Sequence, residues 1–109
     1  MNRRDELIKS MEETFRKGIE ISRAKNTDYA RDVDPFSNFK FGALIGINVP
    51  KSILSRVIDK IARINNVVDN GGKTAVDENI KETVVDCINY LAILKAYWEM
   101  DYVNDTVKK

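Results

Sequence analysis

The chain has no histidine among its 109 residues and a single cysteine, Cys87. Without histidine there is no imidazole general base, no Ser-His or Cys-His dyad, and no His-ligated zinc or iron. With one cysteine there is no intrachain disulfide and no thiolate metal cluster, so a reducing cytoplasm is the expected setting. No apolar run approaches the roughly 18 residues that a transmembrane helix needs. Met1 to Lys9 carries acids and no apolar stretch, so it does not read as a signal peptide. A large charge imbalance is also missing: 18 Lys plus Arg face 17 Asp plus Glu, a formal net charge of +1. That balance predicts neither general nucleic-acid binding nor adhesion to a membrane surface. What is present is an ordinary globular mixture, 43% hydrophobic and 32% charged, long enough for one small domain. Chemistry, if there is any, falls to carboxylates, Lys, Arg, Tyr, hydroxyls or an oxygen-bound metal, with Mg2+ or Mn2+ on Asp and Glu as the leading candidate.

Four helical segments and no strand are predicted, giving a single all-α domain over residues 1–109. The first runs from about Arg3 to Lys25, because Leu7, Ile8, Met11, Phe15 and Ile19 step by three and four. Gly18 interrupts it at about 1 kcal/mol relative to Ala, which predicts close packing there. A short second segment starts with Asp34-Pro35 as cap and first helical residue, carries Phe36, Phe39 and Leu44, and ends at Gly46. Pro50 opens a third, with Ile53, Leu54, Val57, Ile58, Ile61, Ile64 and Val68 as its stripe and Asn70-Gly71-Gly72 as its stop. Asp77 reads as the cap of the last helix, which continues to about Tyr102. That helix is apolar on nearly every side between Thr83 and Trp98, the mark of a centrally packed helix. Tyr97, Trp98 and Tyr102 extend its apolar surface, so a homo-oligomer is expected.

On the last helix Glu78, Glu82 and Asp86 are four apart and Asn89 follows three later, so they share one face. Like charges at this spacing repel, and a divalent cation reverses the sign of the interaction. The alternative is a solvated face, but Asp86 and Asn89 lie in the most apolar stretch, where a carboxylate must be paired or metal-bound. The third helix carries Arg56, Asp59, Lys60 and Arg63 opposite its Ile/Val stripe. Either these are solvated i,i+3 and i,i+4 pairs, or Lys60 and Arg63 meet the acids of the last helix or grip a phosphate. Asp59 would then join Glu78, Glu82 and Asp86 as a metal ligand. A polar loop follows the first helix. There Lys25, Asp28 and Tyr29 are site candidates, Phe36 is a candidate base contact, and Phe39 is assigned to the core.

Lys25-x-x-Asp28-Tyr29, Phe36-x-x-Phe39, Asp59-Lys60-x-x-Arg63 and Glu78-x-x-x-Glu82-Thr83-x-x-Asp86-x-x-Asn89-Tyr90, in that order, resemble the nucleotide modification associated domain. This is a family of small phage and prophage proteins found near genes for modified DNA bases. A more distant similarity is to the MazG and dimeric dUTPase-like all-α pyrophosphatases, which hold Mg2+ on acidic pairs from two helices. In that group the acid pair is three apart; here Glu82 and Asp86 are four apart, and the third helix offers only Asp59. The resemblance implies a MazG-like core, a cytoplasmic setting in an infected or lysogenic bacterial host, and Lys25, Asp28, Tyr29, Lys60, Arg63, Glu82, Asp86 and Asn89 as site residues.

Taken together, the expected function is nucleotide handling by Mg2+-dependent, pyrophosphatase-like hydrolysis. Glu82 and Asp86 are the expected catalytic carboxylates, and Lys25, Lys60 and Arg63 would neutralise phosphate charge. Two rivals use the same residues differently. One is a non-catalytic binder, such as a sponge for a cyclic nucleotide immune signal. The other is a structural or interaction module whose charged stripes are merely solvated.

Overall fold

In a computed structural model the described residues are 2–29, 34–73 and 79–102, the side chains of 26–29 excepted. Helix α1 covers Arg3–Tyr29, α2 covers Val49–Asp69 and α3 covers Ile80–Tyr97. Two short 3-10 segments, Ser37–Phe39 and Phe41–Ile45, precede α2, and a π-helical turn, Trp98–Tyr102, follows α3. Among the described residues there is no strand, as an all-α domain requires. Nor is any single helix there long and apolar enough to cross a membrane.

The helix ends follow capping chemistry. Asn2 Oδ1 accepts from the Asp5 amide at 2.8 Å and starts α1. Asn48 caps α2 through the Lys51 amide at 2.9 Å, with Pro50 inside the first turn. The predicted opening at Pro50 is therefore one residue late: the cap is Asn48 and Val49 is the first helical residue. The stop at Gly71-Gly72 is a Schellman motif: Gly72 N–H reaches Val67 O at 2.8 Å and Gly71 N–H reaches Val68 O at 3.1 Å. Gly71 adopts φ 64°, a left-handed conformation that costs glycine no steric penalty. The cap of α3 is Asn79, whose Oδ1 accepts from Lys81 N at 3.0 Å and Glu82 N at 3.4 Å. Asp77, the expected cap, lies outside the described residues.

The second segment forms as 3-10 turns rather than one short α-helix. Asp34 Oδ1 accepts the Phe36 amide at 3.0 Å, and its carboxylate also holds the Lys40 ammonium. This closes the chain over six residues and favours the tighter i→i+3 winding. Gly46 ends the segment at φ 77°, as expected.

The core gathers where these turns meet α2 and α3. Ile53 is fully buried, and Phe36, Phe39 and Tyr97 complete the cluster, with Tyr90, Ile93 and Leu94 packed on it. The rings meet edge to face in two pairs: Phe36 on Tyr97 at 5.2 Å between centroids, and Phe39 on Tyr90 at 6.3 Å. Such pairs contribute about 0.5–1.5 kcal/mol each beyond the area they bury. This corrects two expectations. Phe36, only 3% exposed, is a core residue and presents no free face to a base, and Tyr97 is buried rather than at an outer surface.

Helix α3 is the centre of the arrangement, as its all-round apolarity predicts. Both α1 and α2 pack against it, and α1 and α2 do not pack on each other. One consequence is that α2 buries Ile53, Val57 and Val67 on α3 but leaves Ile58, Ile61 and Val68 exposed. The wide stripe read from the sequence is thus only half covered.

Candidate functional site

The polar face of α3 lies where the helix is flanked by α2 on one side and α1 on the other. Toward α2, Asp86 Oδ2 stands 3.7 Å from Lys60 Nζ, with side-chain exposures of 34% and 18%. The Lys60 side chain is thus largely covered and that of Asp86 is partly open to solvent, an ion pair at the edge of the α2–α3 seam. Lys60 is drawn inward because it lies one turn after Val57 and one turn before Ile64, on the side of α2 that faces α3. Of the two alternatives read from the sequence, Lys60 takes the pairing with an acid of the last helix.

Arg63 takes the other option. Its Nε lies 3.2 Å from Asp59 Oδ2 on the same helix, and both side chains are about half exposed. An i,i+4 pair of this kind contributes about 0.3–0.5 kcal/mol and is screened by salt. Asp59 is therefore turned along α2 toward Arg63. Among the described residues no three of His, Cys, Asp and Glu converge as a metal cluster. Glu78 lies outside the described residues. Of the expected carboxylates on α3, Glu82 is exposed in the first turn and Asp86 is half-buried one turn later. An acid in the first turn of a helix interacts favourably with the helix dipole.

Toward α1, Asn89 Nδ2 donates to the carbonyl of Gly18 at 3.2 Å. Gly18 is buried, and a β-carbon on it would fall 2.6 Å from Asn89 Oδ1. The glycine lets the two helices approach until the amide reaches a backbone carbonyl. The sequence pointed to close packing at Gly18, and Asn89 is what packs there. Lys25 is exposed on α1, about 10 Å further along the helix by the rise per residue. Asp28 and Tyr29 belong to the last turn of α1, and their side chains lie outside the described set. Thr83, not anticipated as part of this framework, is buried, and its Oγ1 donates to Asn79 O at 3.1 Å, tying the helix start beneath Glu82. Its position four residues after an asparagine cap was the available signal.

Residues 25–95, from Lys25 through Asn89 and on to Lys95, match the family described as Nucleotide modification associated domain 1. The chain belongs to this family. The match takes in every candidate site residue and roughly two-thirds of the chain. No curated protein and no solved structure matches, so the MazG-like similarity gains no support from relatives. The family member therefore presents a half-enclosed cation, Lys60, and two carboxylates one turn apart, Glu82 and Asp86.

Proposed function

We propose that this protein binds a nucleotide at the α2–α3 crevice and, with Mg2+, releases pyrophosphate from it. The observation that carries this reading is the Lys60–Asp86 pair inside a family domain whose name ties it to nucleotide modification. Two carboxylates completed by phosphate oxygens and water are a usual Mg2+ donor set, and Glu82 with Asp86 fits it. When bound there, the ion would supply charge neutralisation and a more acidic water. The chain's own part is as follows. Lys60 turns from Asp86 to a phosphate oxygen, and its partial enclosure strengthens that contact by excluding water. Arg63 and Lys25 offer further positive charge to the phosphates. Asn89 keeps α1 at a set distance from α3. On the family resemblance Asp28 and Tyr29 contact the sugar or base, while Phe36 supports the crevice from within the core.

A second reading is retention of a nucleotide without hydrolysis, as in a sponge for a cyclic nucleotide signal. It is favoured by Asp59, which is engaged with Arg63 and turned along its own helix. One experiment separates the two: incubation with a panel of nucleotides and Mg2+, followed by product analysis and measurement of bound ligand. Pyrophosphate release that Asp86→Asn abolishes supports hydrolysis. Stoichiometric retention without products supports the binder. A panel that is neither retained nor converted overturns both.

A further inference from the structure

One face of α1, beside the side that meets α3 at Gly18, carries Leu7, Ile8, Met11, Phe15 and Ile19, and the structure leaves each of them 42–58% exposed. Every residue from Asn2 to Glu13 is exposed, so among the described residues nothing buries the first three turns of α1. We propose that this stripe is the seat of a second copy of the same chain, with the two α1 helices packed antiparallel about a two-fold axis.

Area supports a partner. Five large side chains, each about half exposed at i, i+4 spacing, present on the order of 500 Å2 of apolar surface, near the upper end of what a monomer carries. Doubled across a two-fold axis, it reaches the ~1,000 Å2 that a specific interface needs.

Charge and register indicate that the partner is the chain itself, and in which direction it runs. With the axis near residue 13, Met11 faces Phe15 of the second copy and Leu7 faces its Ile19, so large side chains meet large side chains. Beside the stripe, on one flank, lie Glu12 and Arg16. In the antiparallel arrangement Glu12 of each copy lies next to Arg16 of the other, twice per dimer. A parallel pair brings opposite flanks together and puts Glu12 and Arg16 of the two copies on opposite sides of the seam, so neither cross-pair forms. An isologous interface requires this self-complementarity.

The test is molar mass by light scattering and sedimentation at tens of micromolar. Wild type is expected as a dimer, and a monomer overturns the proposal. Phe15→Glu is expected to weaken association more than a hundredfold. Because Phe15 is exposed in the single chain, its helical circular dichroism at low concentration should match wild type. Glu12→Arg and Arg16→Glu should each weaken association by about tenfold, two surface pairs being lost. Mixing these two variants, or combining both changes in one chain, should restore it. Association that Phe15→Glu abolishes but the charge reversals leave untouched overturns the antiparallel α1 pairing.

Discussion

The α2–α3 seam and the apolar stripe of α1 are built from the same kind of residue at helical spacing, yet among the described residues only one of them is covered. Ile53 has no exposed surface, while Phe15 on α1 is half exposed. Amphipathic periodicity states that a face needs cover and does not say what covers it. On α2 and α3 the cover is intramolecular, fixed by the ring pairs Phe36–Tyr97 and Phe39–Tyr90. On α1 the closest approach described is toward its middle, where Gly18 meets Asn89.

The largest effect should come from truncating the covered side of that comparison. Ile53→Ala is expected to cost about 2–5 kcal/mol, since it leaves a cavity in the core. Phe15→Ala, made for contrast and measured in dilute solution, should cost no more than about 0.5 kcal/mol. Urea melts of the two variants would check this. If they fell together, α1 would be covered within the single chain.

Next comes the crevice. Asp86→Asn should lower nucleotide affinity in Mg2+ about tenfold or more, through loss of a cation ligand. It should change stability by no more than about 1 kcal/mol, because the Lys60–Asp86 pair is long and its carboxylate reaches solvent. Calorimetric titration and thermal melts of the same preparation read both. A loss of roughly 3–5 kcal/mol in stability would instead mark a buried structural pair.

The helix contact at Gly18 should behave as a coupled pair. Gly18→Ala gains about 1 kcal/mol of helix propensity but drives a methyl into Asn89, so the two effects should nearly cancel. In an Asn89→Ala background that clash is gone, and the same change should stabilise by about 1 kcal/mol. A double-mutant cycle without coupling would show that α1 and α3 are held by something other than this contact.

The smallest effect belongs to Asp34 and Lys40. The Lys40 ammonium, then the Phe36 amide, hold the Asp34 carboxyl below its usual 3.8. A carboxylate lowered on folding adds stability above its unfolded value and loses it as pH falls through the lowered one. The difference between wild type and Asp34→Asn should therefore be present at neutral pH and vanish in acid below 3.8. Melts across that range test it. A difference that persisted in acid would mean that the turn is held without the ion pair.

Much of this was legible in the residues themselves. All-α architecture, the central place of α3, the stop at Gly71-Gly72 and the close approach at Gly18 follow from local spacing, capping and polarity. These are near-neighbour properties of the chain and of helix geometry. What only the tertiary structure decided are choices between equally good local options. Phe36 could have faced a ligand or the core, and it went to the core because Tyr97, two turns beyond Tyr90 on α3, offers an edge for its ring. Arg63 could have reached α3 or Asp59, and it pairs with Asp59 because Lys60, on the inner side of α2, already meets Asp86. The α1 stripe could have closed over α2. The structure instead leaves it open, because α1 and α2 both pack on α3 and not on each other. Which apolar face meets which depends on contacts between residues distant in sequence, and periodicity along one helix carries no information about them.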